Sequence, residues 1–299
     1  MDHKESPQEL IKPIIELFFS GQVQEALDAV ETLINDFPNQ PLLFNICGVF
    51  YKEIGQLDEA IKRFKKALSI NPNYAEAHNN LGVTLQNLGL MDEAVESYEK
   101  ATTFKPDYAE AHNNLGNILF ELGQLETAIK SYEKVIAIKP DYAEAHNNLG
   151  AALQELGQLD MATKNYEKAL AIKPDYAEAH NNLGATLQEL GQLDMATKNC
   201  EKALAIKPDY AEAHNNLGNI FREVGQPDMA LKNYEKALAI NPDYAVAHYN
   251  LGIVLKEFGQ TDTAVKSFEK ALAIQPDYVK AHHSLSILKK LQKMIHRLL

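Results

Sequence analysis

The chain has no tryptophan, two cysteines in 299 residues, and no apolar run that approaches a membrane span. A transmembrane helix needs about 20 consecutive apolar residues. The apolar stretch 14–19 is short and interrupted by Glu16. The opening segment carries Asp2, Lys4, Glu5 and Glu9, unlike the basic-then-apolar pattern of a secretion leader. Cys47 and Cys200 do not make a disulfide framework and fit a reducing compartment, so a cytoplasmic location is expected. Cations are scarce too: 29 Lys and Arg stand against 41 Asp and Glu, a formal charge of −12. Nucleic-acid binding relies on clustered basic residues that displace counterions, so that partner class is excluded and neutral or basic proteins are favoured. Missing as well are a Gly-x-Ser-x-Gly elbow, a phosphate loop and a dinucleotide fingerprint. The sequence therefore predicts no enzyme, no catalytic residue and no cofactor.

What the chain has is repetition. Ala-Glu-Ala-His-Asn-Asn-Leu-Gly begins at Ala75, Ala109, Ala143, Ala177 and Ala211, with a close variant at Ala245 and a decayed one at Val279. Every interval is 34 residues. The same period places a repeat at Pro41, with Cys47-Gly48 in the Leu-Gly place, and a weaker one at Pro7 that keeps Gly21, Ala26 and Pro38. A fixed period of this length marks a stacked-repeat architecture.

One unit, residues 109–142, shows why the period encodes two helices. Pro106 and Asp107 open it: proline stops the preceding helix and aspartate can cap the next. His112, Leu115, Gly116, Leu119 and Leu122 then recur at three- and four-residue steps, the stripe of one buried helical face. Gly123 marks the turn. Ala128, Ile129, Tyr132, Val135 and Ile136 mark a second stripe, which ends before Pro140. Mid-helix glycine costs about 1 kcal/mol relative to alanine. Its recurrence at Gly82, Gly116, Gly150, Gly184, Gly218 and Gly252 predicts close approach of the partner helix. Two short helices cannot bury their stripes alone, so each unit must stack on the next.

This pattern resembles the tetratricopeptide repeat family, whose motif sets Leu-Gly, Ala, an aromatic and Pro at these offsets. His replaces the family's usual Trp or Tyr early in the first helix. The resemblance implies an all-α fold, a right-handed superhelical solenoid of tandem helix-turn-helix repeats, with the first helices lining a concave surface. The expected organisation is a degenerate cap at 1–40, then seven units at 41–74, 75–108, 109–142, 143–176, 177–210, 211–244 and 245–278. A basic amphipathic capping helix at 279–299 completes it, with Lys280, Lys289, Lys290, Lys293 and Arg297 beside a stripe of Leu285, Leu288, Leu291, Ile295 and Leu298. A basic helix of this kind could also touch a membrane surface, the less favoured reading.

Seven histidines (His78, His112, His146, His180, His214, His248 and His282) recur once per repeat. Neighbouring helices sit about 8–10 Å apart, too far for successive histidines to share a zinc ion at about 2.1 Å per bond. They read as packing residues, and no metal site is expected. Cys47, in a core Leu place, and Cys200, in the place of Tyr166, read as buried small hydrophobes.

The face turned away from the core stripe is where binding is expected. In one repeat it comprises Glu110, Asn114, Asn117 and Glu121. Asn80, Asn114, Asn148, Asn182, Asn216 and Asn250 form a ladder on it, and a carboxamide can both donate to and accept from a peptide backbone. About three residues of extended chain, at about 3.3 Å each, match one repeat step. The ladder is similar to the asparagines of O-linked N-acetylglucosamine transferases, where such residues hold substrate peptide. Against this stands duplication: units 143–176 and 177–210 differ only at Ala152/Thr186 and Tyr166/Cys200. The ladder can equally be a polar residue copied with its repeat. Variable places carry more weight for discrimination: Asn117, Asn219 and Ile253 at one position, Phe120, Arg222 and Lys256 at another. Glu76, Glu110, Glu144 and Glu178 occupy the places where chaperone-tail clamps carry cations, which disfavours an acidic tail.

The expected function is therefore a scaffold that binds extended segments of partner proteins in an acidic, Asn-lined groove. The alternative is the substrate-recruiting part of a glycosyltransferase or sulfotransferase whose catalytic domain lies outside this chain. Self-association through the capping surfaces is a third reading.

Overall fold

The computed structural model describes residues 7–298, with side chains over 10–290 and at 292. All regular structure among them is helical, and it divides into two compact units, Met1–Asn148 and Leu149–Leu299. The first unit holds α1 (Pro7–Phe19), α2 (Val23–Asp36), α3 (Pro41–Glu53), α4 (Leu57–Ile70), α5 (Ala75–Asn87), α6 (Met91–Phe104), α7 (Ala109–Glu121) and α8 (Leu125–Ile138). The division falls inside α9 (Ala143–Glu155). The second unit continues with α10 (Leu159–Ile172), α11 (Ala177–Glu189), α12 (Leu193–Ile206), α13 (Ala211–Glu223), α14 (Pro227–Ile240), α15 (Ala245–Glu257), α16 (Thr261–Ile274) and α17 (Val279–Leu298).

Within each unit, consecutive helices pack as pairs and each pair packs on its neighbours. A glycine closes the first helix of every pair. Gly123 takes φ +71°, its N–H donates to the Phe120 carbonyl at 2.9 Å, and Gln124 N–H reaches Leu119 at 2.8 Å. An L side chain is strained in this left-handed conformation, which is why glycine sits there.

The mid-helix glycines have a different reason, and it is the expected close approach. The ring of the second helix lies flat against the glycine backbone: a Cβ built on Gly116 would stand 2.6 Å from Tyr132 Cε1. Phe64, Tyr98, Tyr166, Tyr234 and Phe268 cover Gly48, Gly82, Gly150, Gly218 and Gly252 alike, while Cys200 Sγ meets Gly184. These side chains are fully buried or nearly so, and they form the spine of each unit's core.

Two local expectations fail. Leu122 does not continue the buried stripe; it caps α7 and is 38% exposed, the last buried leucine being Leu119. Nor does Asp107 cap α7. Tyr108 holds that place without a side-chain cap bond. The junction is tied instead by His112, whose Nε2 lies 3.0 Å from the Pro106 carbonyl oxygen.

The ends follow the same logic. In α1 and α2, Ile11, Ile14, Ala26, Leu27 and Val30 build a core, and Phe18 stacks on Phe50 at 4.1 Å. In α17, Leu285 and Leu288 join the cluster of Leu255 and Phe268, and Lys289 pairs with Glu269 at 2.7 Å. Lys280 lies on the same helix, whereas the side chains of Leu291, Lys293, Ile295, Arg297 and Leu298 lie outside the described residues. No helix among the described residues is long and apolar enough to cross a membrane.

Candidate functional site

Six of the seven repeat histidines are clasps. Nε2 of His78, His112, His146, His180, His248 and His282 lies 2.7–3.1 Å from the carbonyl oxygen of the proline six residues earlier. Each ring therefore pins the start of its helix to the preceding loop. Burial lowers the pKa of His78 and His112 below the ordinary histidine value. Among the described residues, no three His, Cys, Asp or Glu side chains converge on a metal site. Both thiols are buried, which pushes their pKa up to about 12 and leaves them protonated and inert.

The asparagine ladder is not open: five of its residues are half-buried and Asn250 is buried. Asn80 donates to Asn45 Oδ1 at 3.0 Å, Asn114 to Asn79 at 3.0 Å, and Asn216 to Asn181 at 3.0 Å. Each bond reaches back to the first asparagine of the preceding repeat. Asn148 departs from this and donates to Asn117 Oδ1 at 3.1 Å, while Asn250 reaches both Asn215 and Asn219. Asn182 is half-buried at the same register. The ladder thus rivets repeat to repeat within each unit. Replacing Asn114 by alanine strands the Asn79 carbonyl oxygen on a side chain with no exposure. Unfolding by denaturant should reveal a loss of about 1–3 kcal/mol, while alanine at exposed Asn87 should change little.

The variable positions obey a rule set by the core. Tyr98 donates its hydroxyl to Gln86 at 3.0 Å and Tyr166 to Gln154 at 3.0 Å. Tyr132 donates to Asn117 at 2.9 Å and Tyr234 to Asn219 at 2.8 Å. Every tyrosine of this row has one amide acceptor, at one position or the other. Where the ring is Phe64 or Phe268 and no hydroxyl needs a partner, the same two places hold Val49 and Lys52, or Ile253 and Lys256. A buried hydroxyl left unpaired is costly, so the core residue dictates the surface amide. The signal was in the sequence: Asn and Gln trade places among the tyrosine repeats, and neither stands at those two places where the ring is Phe.

Exposed carboxylates complete the face. Glu110 accepts from Asn79 at 3.2 Å and Glu144 from Asn113 at 3.4 Å. Further along the first helices, Gln154 donates to Glu189 at 2.7 Å and Gln188 to Glu223 at 3.0 Å. Glu121 is exposed, Phe120 and Arg222 are half-buried, and Lys256 is exposed. Glutamate is the only charged residue type in α5, α7, α9 and α11. Around Glu76, Lys105 makes a 2.7 Å ion pair while lying 4.6 Å from the Tyr108 ring centroid. The face is therefore rich in acceptors, and many of its amide donors are committed internally.

Comparisons with known proteins agree with this architecture. A TPR repeat model matches residues 48–89, 91–123, 116–157 and 154–191. Two tetratricopeptide repeat models match 175–243 and 209–277, and 75–104. Among curated proteins no sequence matches the chain. Of solved structures, the Cut9–Hcn1 hetero-tetramer of APC/C is similar over 89% of this chain and 52% of its own, at 17% identity and TM-score 0.68. The chain thus spans about half the length of that relative. MamA is 33% identical over 54% of this chain and 94% of its own, with TM-score 0.52. YrrB, described as a TPR protein with an unusual peptide-binding site, is 25% identical over 62% of this chain and 95% of its own, with TM-score 0.51.

Proposed function

Because this chain belongs to the tetratricopeptide repeat family, we propose that it is a non-catalytic protein-interaction scaffold, in a cytoplasmic setting that suits its buried thiols. It holds extended, neutral or basic segments of partner proteins along the Asn- and Glu-lined face that the first helices form within each unit. The observation that carries this reading is the one-signed charge of α5, α7, α9 and α11, which bear glutamates and no lysine or arginine, the cations Arg222 and Lys256 standing on α13 and α15. An acidic segment would meet like charge, whereas a basic one gains attraction and a faster encounter. The peptide-binding site attributed to YrrB supports the same use of the fold. Asn80, Asn114, Asn148, Asn182, Asn216 and Asn250 contribute whatever hydrogen-bonding capacity their internal bonds leave over. Asn117, Asn219, Phe120, Arg222 and Lys256 modulate the face from repeat to repeat.

The test is fluorescence anisotropy with an extended Lys- and Arg-bearing peptide and its Glu-bearing counterpart. The basic peptide should bind, weaken with added salt, and lose several-fold in affinity in Glu110→Gln/Glu121→Gln, which keeps the shape of both side chains. Equal binding of both peptides, or an unchanged affinity in the double variant, would sink the reading.

A further inference from the structure

One histidine of the seven lacks its clasp, and a cavity opens beside it. His214 is 92% buried, being 8% exposed, and its Nδ1 lies 3.1 Å from Asn233 Oδ1. Asn233 is itself held in orientation, since its amide nitrogen donates to the Met229 carbonyl at 2.9 Å. The oxygen therefore faces the ring, and Nδ1 is the nitrogen that carries the proton toward it. Nε2, which in six sister repeats meets a proline carbonyl, has no hydrogen-bond partner among the described residues. It belongs to a residue that lines a cavity of about 380 Å³ between α12, α13 and α14.

The walls of that cavity have a definite chemistry. Leu204, Leu217, Phe221 and Met229 supply apolar surface. Phe221 stands where the neighbouring repeats carry leucine, at Leu187 and Leu255. Lys232 and Lys236, one turn apart on α14, line it and are exposed, as is Glu201 on α12. Two cations against one anion make this mouth locally positive, in a chain whose formal charge is −12. The volume lies within the range of small-molecule sites, about 300–1,000 Å³.

We propose that this cavity is a second binding site, separate from the face of the first helices, which takes a small amphipathic carboxylate: an aliphatic or aromatic body against Leu217 and Phe221, its carboxylate at Lys232 and Lys236. The site does not depend on the peptide-binding reading, because Lys232, Lys236 and Phe221 are not the residues that bear the face of α5, α7 and α11.

The full chain is titrated with 8-anilinonaphthalene-1-sulfonate, an apolar anion, and the bound dye is competed with decanoate and, separately, with uncharged decanol. Saturable binding is expected, displaced by decanoate well before decanol. It should fall about tenfold in Lys232→Ala/Lys236→Ala, a change of two exposed side chains. The same double change at the exposed Lys130 and Lys134, on α8, should leave it unaltered. Decanoate should also move the His214 imidazole nitrogen resonances. Non-saturable dye binding, equal displacement by decanol, equal affinity in the Lys232/Lys236 variant, or an unmoved His214 signal would each overturn the proposal.

Discussion

Alanine at Gly150 is expected to destabilise the protein by about 1–3 kcal/mol, although alanine is the better helix former. The new methyl would stand 2.7 Å from Tyr166 Cε1 and 2.9 Å from Cδ1, distances real Cβ atoms do not tolerate. Relief requires the ring to move, and Tyr166 is fully buried with its hydroxyl tied to Gln154. The intrinsic helix gain of about 1 kcal/mol therefore cannot be collected. The twin repeat supplies the control. At Gly184 the nearest obstacle is the Cys200 thiol at 2.6 Å, a single rotatable atom, followed by the Ala196 carbonyl oxygen at 3.2 Å. Gly184→Ala should accordingly cost less than Gly150→Ala. Denaturant midpoints of the two variants decide the matter, and an equal loss would show that backbone crowding rather than the ring sets the requirement for glycine.

Leu149→Ala should cost about 2–5 kcal/mol, the range for a buried leucine truncated without full collapse of its site. Leu149 is 6% exposed. Leu122→Ala, in contrast, should cost well under that, because Leu122 caps α7 with 38% of its surface exposed. Both leucines fit an apolar stripe when read from spacing alone. Thermal unfolding of the pair tests the assignment directly, and a Leu149 variant that melts with the parent would contradict its buried place.

The fold was highly legible because the signals that build it are redundant. Proline, the turn glycine, the Leu-Gly pair and the second-helix aromatic recur at one interval, so a local ambiguity in one repeat is resolved by the others. What spacing could not resolve was how polar side chains divide their hydrogen bonds. Asp107 looked like a helix cap, yet Tyr108 takes the place while His112 ties the junction. Asn114 has the periodicity of an outward residue, yet its amide nitrogen turns to Asn79 in the preceding repeat. A helical wheel assigns a face to Cα–Cβ, whereas a carboxamide on a helix flank can swing toward either neighbour. The acidic character of the first helices needed no such resolution, since charge is read from residue identity alone.

The pairing of each core tyrosine with a surface amide bears on how such a protein can change. Tyr132 and Asn117 belong to the same repeat, as do Tyr234 and Asn219. When a repeat is duplicated or shuffled, phenol and acceptor travel together and arrive already matched. Point mutation has no such protection: altering the amide to reach a new partner orphans a hydroxyl in the interior. Inheritance by whole repeats is thus the smooth route for this surface to diversify. The variant repeat with Cys200 is the instructive exception, because with no hydroxyl beneath it Gln188 can mutate without consequence for the core.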